Sequence, residues 1–436
     1  MHAVRPGNLY SFTRCFLGFK RLDHLGYLDY PDHIRRTAMK KCLISWTTLA
    51  ILAACAVFPA QADSTGIGHS NAPIFSTQEK IVFTLKTDFG DLWNHRAIPN
   101  AEVPEDIRDF TAPGRLSWKD GSGSHDLPVQ VQLRGNTSQA KTECPFPKMT
   151  ISFEKDRATD DRVSKGTLFD GLHSVGIGTH CGGKPGASQR FHRVWGGLSP
   201  HREALVYKVQ ELLGVPGFQA AATSFSYIDS TTGRGPVEPQ PSGFAVNQPM
   251  PGFFLENIKT FVKNAKGKEI RAADSPIKDS DTQYIFTSLT EAQKDARNAG
   301  SQIEPIDPRG IIRLMLFQSL IANYDWILRT SPDDTSASRG LWNMKVVEAD
   351  GKWIVFPYDY DLAGWVRPDD SAPELPNFNN PFFKPADISA VVAEFRQKRP
   401  AVEALVDDLA KEDRNGAASI KSRIKSFYAA LDRKFP

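Results

Sequence analysis

The sequence predicts an α+β fold, with an antiparallel sheet in the first half of the chain and a mainly helical second half. Three observations carry this reading. Residues 128–134 and 148–154 alternate apolar and polar side chains, as half-buried strands do. Residues 201–213 carry apolar side chains at helical spacing, and 311–321 form an apolar run long enough for a buried helix. Two β-prone runs, 344–349 and 352–356, flank Asp350-Gly351, a two-residue turn of the kind that closes a hairpin. At 436 residues the chain can bury a large core in one or two domains, and its net charge of +3 gives no reason to expect nucleic acid or an acidic membrane as a partner.

The first 62 residues read as targeting. Met39-Lys40-Lys41 opens a basic region, 42–57 is an apolar stretch, and Ala60-Gln61-Ala62 has the small-x-small form of a signal peptidase site. That run is too short for a membrane span. Residues 39–62 are therefore expected to be a secretory signal, and 1–38 an upstream extension from a misassigned start. Leu52-Ala53-Ala54-Cys55 resembles a lipobox and offers the alternative of an envelope lipoprotein, held to a membrane only through lipidation at Cys55. Arg35-Arg36 lacks the aromatic residue that a twin-arginine signal favours. Either route places the protein in the periplasm or cell envelope. Of five cysteines, Cys144 and Cys181 remain after cleavage, and an even pair in an oxidising compartment predicts a disulfide worth roughly 3 to 4 kcal/mol. Two buried free thiols are the alternative.

Residues 63–77 are a polar, glycine-containing lead-in with the composition of a flexible segment. Residues 80–86 read as a strand. In 128–134, Val129, Val131 and Leu133 share one face and Gln130, Gln132 and Arg134 the other; in 148–154, Met149, Ile151 and Phe153 oppose Lys148, Thr150 and Ser152. As neighbouring strands, these two put Arg134 and Lys148 on one polar face. The helix over 201–213 presents Leu205, Val209, Leu212 and Leu213, and Gly214 and Pro216 stop it. Residues 215–229 return to strand composition, 231–251 form a Pro-, Gly- and Ser-rich loop, and 253–256 suggest another short strand. Residues 263–305 are strongly polar, 368–385 irregular, and 388–435 read as two or three closing helices. No internal repeat is present.

The chemistry concentrates between Asn323 and Asp361. Pairing outward from the Asp350-Gly351 turn sets Ala349 opposite Lys352, Val347 opposite Ile354, Lys345 opposite Phe356 and Asn343 opposite Tyr358. Asn343 thus lies beside Asp359. Asp359 and Asp361, two apart, face one side of an extended segment. Asp325 follows the helical run 311–321 and arrives from a separate element. Asn343, Asp359 and Asp361 form a hard-oxygen set suited to Mg²⁺ or Mn²⁺, which recruit phosphates and waters as further ligands. A phosphoryl-transfer site also needs a cation for the phosphates and a carboxylate near the acceptor hydroxyl. Lys148 is the candidate cation, with Arg134 on its face; Glu203, in the first turn of the 201–213 helix, is the candidate partner of Lys148, and Asp325 the candidate base.

Each residue also has a structural explanation. An outward lysine is usually solvated, Glu203 near a helix start suits the macrodipole, Asp-x-Asp is a common pair, and Asp325 ends a helix. His173 and His180 are a possible metal pair with no further ligands around them. Gly182 to Gly186 lacks the spacing of a phosphate loop and reads as a turn after Cys181.

Several segments together resemble the spore-coat protein H (CotH) kinase family. They are Leu133-Arg134-Gly135-Asn136-Thr137-Ser138 with Pro147-Lys148-Met149, Arg202-Glu203-Ala204-Leu205 through Leu213-Gly214-Val215-Pro216, and Asn323-Tyr324-Asp325-Trp326, Asn343 and Pro357-Tyr358-Asp359-Tyr360-Asp361-Leu362. The order is that of the family over roughly 129–363. The resemblance implies a two-lobed atypical protein-kinase-like fold, with an antiparallel-sheet N-lobe over about 78–262, a connecting segment over about 263–305 and a mainly helical C-lobe over about 306–436. It also implies ATP and a divalent metal, with Lys148 toward the nucleotide phosphate, Glu203 as its partner, Asp325 as base, and Asn343 with Asp359 toward the metal; Arg134 and Asp361 enter on the residue pattern alone. The Cys144-Pro145-Phe146-Pro147 lead-in stands where spore-coat members tend to carry lysines, and with His180-Cys181 it looks closer to a less characterised envelope branch.

Three functions compete at this point. The first is a metal- and ATP-dependent Ser/Thr phosphotransferase acting on an exported protein, in a compartment where ATP is scarce. The second is a non-catalytic envelope binding or scaffold protein that keeps a kinase-like fold. The third is a glycosyltransferase that holds a nucleotide-sugar diphosphate through Asp359-x-Asp361.

Overall fold

A computed structural model describes residues 69–96, 110–135, 139, 144–155, 161–181, 197–235, 248–264, 266, 268–270, 307–323, 343–349, 352–367, 374–379 and 381–436. All described residues belong to one compact unit within Asp63–Pro436. The targeting reading of residues 1–62 lies outside the described residues.

Seven strands close into a barrel: β1 (Val82–Thr87), β2 (Ala112–Asp120), β3 (Gly123–Leu133), β4 (Met149–Phe153), β5 (Ser174–Gly178), β6 (Ala220–Asp229) and β7 (Met250–Leu255), in the order β1-β2-β3-β4-β5-β7-β6. The fold is mixed α+β, as expected. The sheet departs from the expected antiparallel pattern at one pairing, since β1 lies parallel to β6, with Val82 opposite Ser224 and Thr87 opposite Asp229. Closure removes both sheet edges, and the long chain between β1 and β6 makes a parallel return possible.

The alternation in β3 and β4 survives intact. Val131 faces Ile151 and Leu133 faces Met149 across an antiparallel ladder, and all four side chains are buried. Inside the barrel they join Phe83, Phe225 and Phe254, and the Phe254 ring meets the other two edge to face at 4.9 and 5.0 Å. β2 alternates too, with Gly114 at an inward position, whereas β5 is buried throughout and carries no such pattern. A Cβ at Gly114 would lie 2.9 Å from the Lys86 carbonyl, and one at Gly178 would lie 1.9 Å from the Phe253 ring.

The wall formed by β6 and β7 separates two cores, and the helix α2 (Ser199–Leu213; α1 is the short Phe89–Asn94) lies in the outer one. Strand alternation sorts side chains between them: Phe254 and Ala221 point into the barrel, whereas Phe253 and Ala220 pack outward with α2. Consequently α2 is buried on most of its circumference, and Gly214, at φ 73°, ends it in the left-handed conformation that glycine adopts without penalty. The outer core adds α3 (Ile258–Asn264), α4 (Pro308–Leu320), α5 (Pro385–Leu409) and α6 (Arg414–Lys434). The closing segment therefore forms two helices. Among the described residues no helix is long and apolar enough to cross a membrane.

A second sheet runs β10 (Lys352–Pro357), β9 (Met344–Ala349), β8 (Lys268–Ile270). Its hairpin has the register anticipated from the turn: Lys352 opposite Ala349, Ile354 opposite Val347 and Phe356 opposite Lys345. Within the segment read as a flexible lead-in, residues 69–77 are held against the barrel. The buried Glu256 carboxylate accepts the backbone N–H of Ser70 at 2.5 Å and of Gln219 at 3.3 Å, and lies 3.1 Å from His69 Nδ1.

Cys144 and Cys181 form a disulfide across 37 residues, next to the hydrogen bond from Phe146 N–H to the Cys181 carbonyl. Beside it, His180 stacks on Phe146 at 4.9 Å and is buried, with neither ring nitrogen paired among the described residues. Burial pushes its pKa down to about 3.

Two stability measurements follow from this corner. Replacing Cys144 and Cys181 together by alanine lowers unfolding free energy by roughly 3 to 4 kcal/mol, read as a fall in the urea midpoint. Because His180 stays neutral in the fold and protonates near 6.5 when unfolded, stability is lost as pH falls from about 6.5 toward 3. Between pH 7 and pH 5 this contribution amounts to about 2 kcal/mol. A His180→Phe variant should show a urea midpoint less sensitive to pH over that interval.

A buried lysine among three carboxylates

Lys148 stands immediately before β4, on the face opposite Met149 and Ile151, and this face meets α2 and the exit of β10. Lys148 is not the solvated strand lysine of the structural alternative: it is only 4% exposed. Its ammonium lies 2.5 Å from Asp359 Oδ1, 3.3 Å from Asp361 Oδ2 and 3.4 Å from Glu203 Oε1. Burial alone would push the ammonium pKa down, but Asp359, Asp361 and Glu203 outweigh that and hold it above its ordinary value, against an opposing contribution from Arg134. Lys148 is therefore charged.

Glu203 is 2% exposed and sits in the second turn of α2, so the macrodipole account proposed for a first-turn residue does not apply. Burial pushes its pKa up; Lys148 pulls it back, and the neighbouring Asp361 and Asp359 reinforce the rise. Its neighbours on the helix are tethered too. Arg202 pairs with Asp413, whose other oxygen accepts the Gly416 N–H at 2.8 Å and caps α6, which fixes α2 against the closing helices.

Arg134 donates its backbone N–H to the Lys148 carbonyl at 2.9 Å, and its guanidinium crosses β5 at Gly176, where a Cβ would come within 2.1 Å of Nη1. Only glycine lets that side chain pass. Arg134 is close enough to act electrostatically on both Lys148 and Glu203.

Asn343 and Asp359 bracket the hairpin's open end. The Tyr358 N–H donates to the Asn343 carbonyl at 3.0 Å, which continues the expected register one step beyond β10. Both residues take left-handed backbone conformations, φ 61° for Asn343 and 64° for Asp359, so the chain turns sharply before Asp361. Asp361 is 2% exposed, whereas the Asp359 side chain is 28% exposed and forms the open side of the cluster. Just beyond, Ala363 bridges Asn323, and the Gly364 N–H donates to the Ala322 carbonyl at 2.8 Å. The chain that leads to Asp325 therefore starts alongside the aspartate segment. Asp325 itself lies outside the described residues.

Two partners escaped the sequence reading. Tyr207, one turn after Glu203, receives the Asp359 backbone N–H on its hydroxyl at 3.0 Å. Gln210, a further turn along, donates through Nε2 to the carbonyls of Pro216, at 2.7 Å, and Pro357, at 3.3 Å. The i, i+4 spacing from Glu203 to Tyr207 was the available signal. His180 belongs to the aromatic packing around Phe146, while His173 is exposed at the start of β5. Among the described residues no group of three or more His, Cys, Asp or Glu side chains forms a ready metal cage.

Chemically, the cluster is three carboxylates around one ammonium, with a guanidinium nearby. Its donors are hard oxygens, its negative charge exceeds that of Lys148, and its outermost carboxylate reaches solvent; these features fit a divalent cation at Asp359 and Asp361. No protein-family model and no curated protein matches the chain.

Removal of the ammonium is the direct test of this geometry. Lys148→Met leaves three carboxylates facing one another, two of them shut away from water, and should lower unfolding free energy by about 3–5 kcal/mol in urea titrations at neutral pH. Loss of less than about 1 kcal/mol, the range of a solvated surface pair, would show that the lysine is not held there.

Proposed function

We propose that the chain is an exported, metal- and ATP-dependent phosphotransferase acting on serine or threonine of a protein substrate, on a two-lobed kinase-like plan. In that plan the barrel carries Lys148 and Arg134, and the helical layer with the β9–β10 hairpin carries the acidic residues. The observation that carries the reading is the meeting of Lys148 with Glu203, Asp359 and Asp361. A lysine fixed by a helix glutamate, beside aspartates at a hairpin exit, is the arrangement a phosphate clamp requires. The likeness to the CotH family rests on the motifs alone.

In this reading Lys148 exchanges its contact with Asp359 for a phosphate oxygen, while Glu203 keeps the ammonium aimed into the site. Asp359 and Asp361, with Asn343, would hold Mg²⁺ or Mn²⁺, which would neutralise phosphate charge and orient the transferring group. Arg134 supports the same phosphates from the β5 side. Asp325 would accept the proton of the substrate hydroxyl.

Thermal shift of the purified protein with Mn²⁺ and ATP, or Mg²⁺ and ATP, tests the reading. Stabilisation of several degrees is expected, lost in Asp359→Ala, whereas Asp325→Ala should keep the shift and lose phosphate transfer to protein, followed by mass spectrometry. A shift with nucleotide sugars and none with ATP would replace this function with glycosyl transfer. No shift with either would leave a non-catalytic binding protein.

A further inference from the structure

Asp359 occupies a backbone region that a residue with a Cβ enters only at a cost, although aspartate and asparagine tolerate it better than most. Such a conformation persists where surrounding structure holds it. Here the holding contact is specific: the Asp359 N–H donates to Tyr207 Oη at 3.0 Å. Tyr207 is 1% exposed, and its ring is clamped by Tyr360 at 4.9 Å, edge on, and by Phe253 at 6.1 Å. Tyr360 lies between the two aspartates in sequence and packs in turn on Phe317 of α4 at 5.6 Å. One helix, α2, thus carries both the glutamate that faces the ammonium and the phenol that fixes the turn on its other side.

A buried phenol hydroxyl needs a hydrogen-bond partner at its tip. This one receives a backbone donor from the strained residue itself. Burial, with Glu203 and Asp359 close by, pushes the Tyr207 pKa well above its ordinary value, so the hydroxyl keeps its proton.

We propose that Tyr207 is a positioning residue whose hydroxyl holds the left-handed turn at Asp359 and thereby sets the Asp359 carboxylate against Lys148 and against a divalent cation; the cation half rests on the phosphotransferase reading. Tyr207→Phe keeps the ring contacts with Tyr360 and Phe253 and removes only the hydroxyl. Hydrogen exchange of the 357–362 segment, read by mass spectrometry, should become roughly tenfold faster, as expected when one buried hydrogen bond is lost. Mn²⁺ affinity, read from the electron paramagnetic resonance signal of the free ion, should fall by about tenfold. Exchange unchanged from the parent protein would overturn the proposal whatever the metal does. Faster exchange with undiminished Mn²⁺ affinity would overturn the part that concerns the cation. Faster exchange in a protein whose parent form binds no Mn²⁺ would keep Tyr207 as holder of the turn and remove the phosphotransferase reading instead.

Discussion

The structure turns on one desolvated ammonium. An ion taken out of water is costly, and the cost is met only where opposite charges surround it at hydrogen-bond distance. Lys148 meets that requirement with carboxylates that come from α2 and from the exit of β10. Each contributor is fixed from behind by a different device. The Cys144–Cys181 disulfide lies just upstream of Lys148, and the Arg202–Asp413 pair stands beside Glu203. Gln210 reaches the Pro357 carbonyl and Tyr207 the Asp359 N–H, while Asp361 is followed by the Ala363–Asn323 bridge. The barrel, the central helix and the hairpin are therefore coupled through a cluster that none of them could bury alone.

Local rules reached the parts of this arrangement that depend on local geometry. Hairpin register was readable because Asp350-Gly351 leaves a single pairing that keeps Val347 and Phe356 on the buried side. The β3–β4 ladder was readable because its alternation is unbroken. Barrel closure was not, since the β1–β6 pairing joins segments far apart in sequence and parallel pairs have no turn to announce them. β5 was illegible for another reason: Ser174-Val175-Gly176-Ile177-Gly178 has weak strand composition, and its glycines answer to an arginine and a phenylalanine that pass over them. For the site, the residue types pointed to Lys148, Glu203 and the aspartates, yet Lys148 by composition looked like a surface lysine. Its burial is a tertiary fact, set by α2 and the hairpin arriving on the same face. The i, i+4 spacing puts Tyr207 on the same helix face as Glu203, but its role is played toward a backbone N–H, which that spacing does not name.

The exposure of the four charged groups has a consequence for how any ligand could enter. Lys148, Glu203 and Asp361 are shut away, with side chains 5%, 3% and 2% exposed, and Asp359 alone opens outward at 28%. The excess of carboxylates over the ammonium is thus felt chiefly at the mouth. Arg134 offsets part of it but approaches from the β5 side, beneath the cluster. A polyphosphate arriving without a cation would meet net repulsion at Asp359, strengthened by the low dielectric behind it. A divalent cation meets the reverse, and once seated it would weaken the hold of Asp359 on Lys148 by competing for the same oxygens. Under the proposed phosphotransferase reading, charge order would therefore tie the two ligands together: the cation would accompany or precede the phosphate, and the lysine would become available to the phosphate only as the aspartate turned to the cation.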